Sequence, residues 1–576
     1  MTISRAKKTA YKRYGVDVAV TETDRSIVLG GHCDDWGKIV SVGKLFVGAS
    51  GNKHVVNDIV LDGYVEPKPY MPAVRDNALD GTDWDVVVVG GGVSGCAVAR
   101  ELSRYNLRVL LCEKHSDVAR GASGVNDGMV HAGIDLKHAC NKLKYVVRGN
   151  EMYPQLCREL GVDFERTGQY VVFDSRLIRL LATTYLWRAK KHSIKGVRFL
   201  SKKQICLLEE GVADYAVSAM YVPSTGAVSP YKLTVALTEN AVQNGVKVSL
   251  NTAVIDFKRD TFGIGEVVTN RGTVRAKCVV NAAGVFADKI AELADDRYFC
   301  IHPRKGTDVI LDKEAADLPS HSVSLAPSLK TLKANKNTKG GGIVKTVDGN
   351  ILLGPDAVEV PDREDVSTCR QNVDTVFARQ QKCFHSLKKS SIIAYFSGVR
   401  ACTYEEDFLI ERSAKVPNLV HVAGIQSPGI TAAPAFAKDV CDLVVDYLRG
   451  AGNDVTTNAD FDPVRKKPIC LAELSDEEKD KIIAADPDFG KIVCRCECVS
   501  LGEIKTALNN PLGVATVDGV KRRVRAGMGR CQGGFCMPQV IRIIAENKHI
   551  PLDKVNKGDD GSYVVVNKGD DGAKDE

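Results

Sequence analysis

Apolar positions along the first sixty residues change period. Val16 to Val20 and Ile27 to Leu29 read as short strands, Trp36, Ile39, Val40 and Val47 recur at helical spacing, and Val55 to Leu61 returns to a strand. This predicts a small N-terminal α+β module, residues 1–80 with its linker. The linker, GYVEPKPYMPAVRDNALDGTD, is predicted to be exposed because its prolines and turn residues suit no core. From Trp84 to about Gly450 strand and helix signals alternate with glycine-rich junctions, which predicts one α/β body over residues 81–450. A basic, turn-rich stretch from Pro463 to Pro468 leads into a compact cysteine-bearing unit, residues 451–548. The tail, 549–576, repeats NKGDDG at Asn556 and Asn567; it reads as a hairpin-like or mobile end without chemistry.

Composition narrows the class. With 44% hydrophobic and 26% charged residues, the 576-residue chain is a folded protein of several domains. The net charge of +6 is spread over 78 basic and 72 acidic side chains, too balanced for a nucleic-acid binder. The opening MTISRAKKTAYKRYG lacks the apolar run of an export signal. The charge-free run Val416 to Ala437 is interrupted by Pro417, Pro428 and Pro434, so no transmembrane segment is expected. These features point to a cytoplasmic protein. Thirteen of the 18 cysteines are scattered singly and are expected to be reduced, mostly buried thiols. The other five crowd together near the C-terminus.

The chemistry begins at Asp85-Val86-Val87-Val88-Val89, a strand that runs into Gly90-Gly91-Gly92-Val93-Ser94-Gly95 and a helix from Cys96 to Arg104. Gly90 permits a tight turn, Gly92 lets amides approach a pyrophosphate, and Gly95 allows helix and strand to pack closely. A second strand, Arg108 to Cys112, ends at Glu113, placed to bind the hydroxyls of an adenosine ribose. A Rossmann-like dinucleotide-binding domain is therefore expected. The glycine-rich stretch GASGVNDGMVHAGID that follows is not the simple βα unit of a nicotinamide dehydrogenase, and it points to FAD.

The strings VVVVGGGVSG, DGMVHAGI, ELGVDFERTGQYVVF, VNAAGVFAD, PRKG, VDGNILLGP, FSGVRACTYEEDFLI and AGIQSPGITAAPA occur in that order. In them the chain resembles the FAD-dependent oxidoreductases of the D-amino-acid oxidase superfamily, in the glycerol-3-phosphate dehydrogenase and L-2-hydroxyglutarate oxidase branch. The resemblance implies an FAD domain with an interleaved α+β substrate domain. It implies that Ser123, Asn126, Ala283, Gly284, Gly398, Gly424, Ser427, Gly429 and Thr431 border the flavin nucleotide. A helix from about Ala432 would stabilise negative charge on the reduced ring.

An alcohol-oxidising flavoenzyme needs a base for the hydroxyl proton and cations for an anionic substrate. The resemblance places His131 near the flavin, where an imidazole suits the base; a structural hydrogen-bonding role is the competing reading. Arg400, in SGVR, matches the arginine expected to hold a carboxylate or phosphate. Arg304 and Lys305 are further candidates for the anion, against a solvated basic turn. The stretch Ser123 to Asp127 departs from the family pattern, and Asp127 would repel an anion if it faced the pocket.

Cys494-Arg495-Cys496 and Cys531 to Cys536 form C-x-C and C-x4-C separated by 34 residues. Four thiolates serve zinc or a 2Fe-2S cluster; the C-x-C spacing argues against zinc, and a flavin in the same chain makes an electron carrier useful. VCRCECVSLGEI with GMGRCQGGFC resembles the bacterioferritin-associated-ferredoxin-like (BFD-like) 2Fe-2S domain of the anaerobic glycerol-3-phosphate dehydrogenase large-subunit type. Cys494, Cys496, Cys531 and Cys536 are then the ligands and Cys498 the spare. The whole implies oxidation of sn-glycerol 3-phosphate to glycerone phosphate, with electrons passing through the cluster to partner subunits or a quinone. Membrane contact would be peripheral, at the inner face and only through partners. The alternatives are a 2-hydroxy-acid dehydrogenase and a non-catalytic electron-transfer subunit.

Overall fold

The computed structural model describes residues 1–212, 214–315, 318–326 and 341–566. The second NKGDDG repeat, at Asn567, lies outside the described residues.

The N-terminal module opens with a helix, Ile3–Tyr14, that the apolar pattern did not predict, because its buried face is made of Ala6 and Ala10. Three strands, Ala19–Glu22, Ser26–Cys33 and His54–Leu61, form one sheet, covered by the helix Trp36–Val47. Its core continues into the main body through Tyr404 and Cys300. Asn57 donates to the Tyr404 hydroxyl at 2.9 Å.

The nucleotide sheet has a parallel centre. Val109–Cys112 and Gly272–Asn281 flank Asp83–Val89, and Leu419–Ala423 lies beyond Gly272–Asn281. These strands are buried on both faces, which explains their unbroken valine runs. The helix after the first strand spans Val93–Leu102, and a Cβ at Gly95 would collide with the Gly90 carbonyl oxygen. Gly90 has φ of +108°, where other residues are strained.

A nine-stranded sheet forms the second layer. Its longest pair is Ile301–Leu311 against Ile392–Thr403, antiparallel, with Arg304 opposite Arg400 and Gly306 opposite Gly398. That register sets one wall of the site.

Residues 451–468 do not separate from the body: Asn106 binds Thr456, Arg465 pairs with Glu239, and Lys467 pairs with Asp163. The cysteine-bearing unit has its own core around Val499, Ile504, Val520, Val540 and Ile544. All 18 cysteines are free. No helix among the described residues is long and apolar enough to cross a membrane.

Candidate functional site

A cavity of about 1380 Å³ runs between the two sheets. One end is the glycine turn: Gly90, Gly92 and Glu113 line it, with Ala283 and Gly284 from the end of the neighbouring strand. Gly95 lies outside the lining, as a packing contact. The Glu113 carboxylate accepts from the Gly91 amide at 2.6 Å and the His115 amide at 2.9 Å, which fixes it in the nucleotide end. Ser123 and Asn126 hold the loop above. The Ser123 hydroxyl accepts from the Val93 amide at 2.8 Å, capping a helix whose own cap residue is glycine. Asn126 donates to the Ala122 and Ser123 carbonyls and accepts from Gly128.

The helix expected from about Ala432 begins earlier, at Gly429, and runs to Gly450. Ser427 and Gly429 line the cavity. Thr431 acts from behind the wall: its hydroxyl accepts from the His131 amide at 2.9 Å, and Asn150 donates to the His131 carbonyl at 2.9 Å. Gly424, with φ of +67°, packs against Thr403 and Asp407 outside the cavity lining. His131 itself faces the cavity.

Period-two alternation along Ile301–Leu311 explains which of its cations reaches the site. Arg304, Gly306 and Asp308 line the cavity from that strand, and Gly398 to Arg400 from its partner. Lys305 is one residue out of phase and does not; its ammonium bonds Asp365 at 2.6 Å and Ser367 at 3.1 Å. Arg304 reaches the wall, but its guanidinium is matched by Glu359, Glu406 and Gln426. Arg400 is the less committed fork: one nitrogen donates to the Asp356 carbonyl at 2.8 Å. A side chain at Gly306 would occupy the space of that guanidinium.

Two cavity residues carried no signal in the sequence. Lys142 lines the cavity, and its burial lowers its pKa. Asp308 is fully buried, with one oxygen lacking a hydrogen-bond partner. Burial and then the charge of Asp127 push its pKa well above the carboxylate range. Asp127 also lines the cavity, its carboxylate accepting from the Met129 amide at 3.1 Å.

Burial disfavours the charged form of Glu406, but bonding from Arg304 outweighs it and the pKa falls to about 2. A carboxyl depressed on folding stabilises the native state above its unfolded pKa and loses that contribution as pH falls through the folded value. Stability is therefore expected to fall between about pH 4.5 and pH 2. Urea unfolding at pH 3 and pH 6 measures it; Arg304→Met should shrink the difference, and an unchanged difference would assign the acid sensitivity elsewhere.

The tail is not inert. Asn556 and Tyr563 bridge to form a hairpin, whose Asp559 lines the nucleotide end of the cavity. Its carboxylate accepts from His115 at 3.0 Å, the Ser116 amide at 2.9 Å and Arg120 at 2.9 Å, while Tyr70 stacks on His115 from the linker. Because these charge-assisted bonds hold the loop after Glu113, Asp559→Ala is expected to raise the Kd for FAD roughly 10- to 100-fold. Flavin fluorescence on dilution reads this directly, and a Kd like that of the unmodified protein would reduce the tail to a surface ornament.

The second centre lies on the hairpin Ile492–Cys494 and Val499–Ser500 and the start of the helix Met537–Lys548. The thiols fall into two adjacent pairs, Cys494 with Cys536 and Cys496 with Cys531. Among the described residues no three such side chains converge on a single metal-ion position. These four neighbouring thiols would hold a 2Fe-2S cluster, which would supply one-electron transfer. The bond from Cys536, aided by the Gly527 and Glu497 amides, lowers the Cys494 pKa to about 6. Gly529 leaves room for Cys496, and Cys498 is exposed.

The glycine cradle, the acid at its end and the cavity fit FAD. The family model described as FAD dependent oxidoreductase matches residues 85–443. The chain belongs to that family. Within the FAD dependent oxidoreductases it also carries a match to the BFD-like [2Fe-2S] binding domain, over residues 492–546. It is 38% identical over 483 residues to a glycerol 3-phosphate dehydrogenase of Caloramator mitchellensis, covering 84% of this chain and 98% of the relative. It is 24% identical over 492 residues to an anaerobic glycerol-3-phosphate dehydrogenase subunit of Escherichia coli K12, covering 79% and 87%. Among solved structures, the FAD-bound L-alpha-glycerophosphate oxidase of Mycoplasma pneumoniae superposes with a TM-score of 0.62 at 27% identity, covering 67% of this chain and 99% of that one.

Proposed function

We propose that this chain oxidises sn-glycerol 3-phosphate to glycerone phosphate at the cavity between its two sheets. The observation that carries this reading is that Arg400, held in register opposite Arg304, lines the same cavity as His131 and the glycine cradle. Arg400 holds the phosphate through its planar fork, with Gly306 leaving the space it needs. His131, its backbone pinned on both sides, takes the hydroxyl proton as the C–H bond breaks. FAD held at the cradle of Gly90, Gly92 and Glu113 would supply the two-electron oxidant for that C–H bond, and a 2Fe-2S cluster held by Cys494, Cys496, Cys531 and Cys536 would supply one-electron transfer. The dehydrogenases of Caloramator and Escherichia coli support the substrate.

The electrons leave to a redox partner subunit, and the protein works at the inner face of the membrane. The test is anaerobic: sn-glycerol 3-phosphate should bleach the flavin band and then reduce the cluster, while L-2-hydroxyglutarate should leave both unchanged. Bleaching by the hydroxy acid alone would transfer the site to carboxylate substrates, and bleaching by neither would leave an electron-transfer subunit.

A further inference from the structure

The helices Arg176–Leu181 and Thr183–Lys191 serve no step above. Between Asp174 and Glu209 the chain has nine lysines and arginines and no acidic residue, more than the whole chain's excess of +6. Leu177, Leu180 and Leu181, at positions i, i+3 and i+4, turn outward and are 52%, 64% and 53% exposed. Trp187 on the next helix is 59% exposed, whereas Ile178, Ala182 and Ala189 face a core. Among the described residues none of the nine cations forms an ion pair. Their field is felt nearby: burial, then Arg188 and Lys191, lowers the pKa of both His138 and His192.

Leucine and tryptophan set in an unpaired basic field make a specific surface. Cores of protein interfaces are poor in lysine, and exposed apolar patches on soluble proteins mark contact sites. Amphipathic helices that lie in a lipid interface combine these features, with leucine and tryptophan on one face and lysine and arginine around them. The same helices wall the cavity: Leu181 and Arg188 line it, and two Arg188 nitrogens are buried without a hydrogen-bond partner.

We infer that this helix pair docks the protein directly on an anionic phospholipid surface, with the cavity wall at Leu181 and Arg188 turned toward it. The inference stands apart from the choice of substrate and replaces membrane contact through partners alone.

The experiment sediments the holoenzyme with phosphatidylcholine vesicles, with and without phosphatidylglycerol. The protein should pellet with the anionic vesicles, stay in solution with the neutral ones, and be released as salt rises. Lys190→Glu combined with Lys191→Glu should weaken the vesicle affinity roughly tenfold or more. Leu180→Gln combined with Trp187→Gln should do the same through lost apolar insertion. Both pairs should keep flavin reduction by sn-glycerol 3-phosphate, because none of the four residues lines the cavity. Wild-type protein left in solution with both vesicles, equal pelleting with both, or variants that pellet like wild type would overturn the inference. So would a dimer that Leu180→Gln and Trp187→Gln dissociate in the absence of vesicle binding, which would give the face to a second copy.

Discussion

The protein carrying His131→Gln is expected to keep its flavin and to reduce it with sn-glycerol 3-phosphate roughly 10²- to 10⁴-fold more slowly than wild type. The size follows from removing a positioned base while leaving the anion site intact. The fold around it should survive, because neighbours hold the His131 backbone: its amide donates to Thr431 and its carbonyl accepts from Asn150. Asn150 is itself held by Arg166 at 2.9 Å. Stopped-flow reduction under anaerobic conditions gives the rate, and the flavin spectrum checks occupancy. Thr431→Val separates base from scaffold, since it removes the amide's partner and keeps the imidazole. A His131→Gln rate within a few-fold of wild type would return His131 to a structural role.

Asp117→Asn is expected to uncouple the two redox centres. Asp117 lies four residues beyond Glu113 in the nucleotide loop and is fully buried against Arg522 and Arg523 of the BFD-like domain, at 2.8 and 2.9 Å. Burial disfavours its charge, but the two guanidiniums overcome this and hold its pKa below the usual range. Removing one member of a buried ion cluster leaves the others uncompensated, at a cost of about 3–5 kcal/mol. Arg525 adds bonds to Asp348 and Tyr231 across the same junction, so the domain should loosen and stay folded. Flavin reduction should persist while the signal of the reduced cluster, followed by electron paramagnetic resonance, develops more slowly. An unchanged cluster rate would show that this junction does not govern electron passage.

The parts legible in the sequence are those whose physics is local. A strand of β-branched residues, glycines at fixed offsets and a helix must form a turn open to phosphate wherever they occur, so Gly90, Gly92 and Glu113 could be placed from spacing. The BFD-like domain was legible for the same reason, because its thiols come in two short segments. Parity in a strand was equally available: Arg304 and Lys305 are adjacent, so only one could share the face of Arg400. Which of them does so depends on the register with Ile392–Thr403, a pairing across some ninety residues of chain.

Other features had no local signature. Asp559 stands in a repeat that composition marks as solvent-loving, yet it reaches the nucleotide loop more than four hundred residues away. The raised pKa of Asp308 comes from its burial beside Asp127, and the confinement of Lys142 from the elements that close over it. The order of residues was enough to specify the glycine turn, the spacing of the cysteine pairs and the alternation of strand and helix, since each rests on neighbours along the chain. Only the folded arrangement settled which cation faces the cavity, which acid is buried beside it and how the tail and the BFD-like domain lock onto the nucleotide loop. Those outcomes depend on burial and on contacts between distant segments, and a residue's charge and hydrogen bonding are set by whatever folding brings against it.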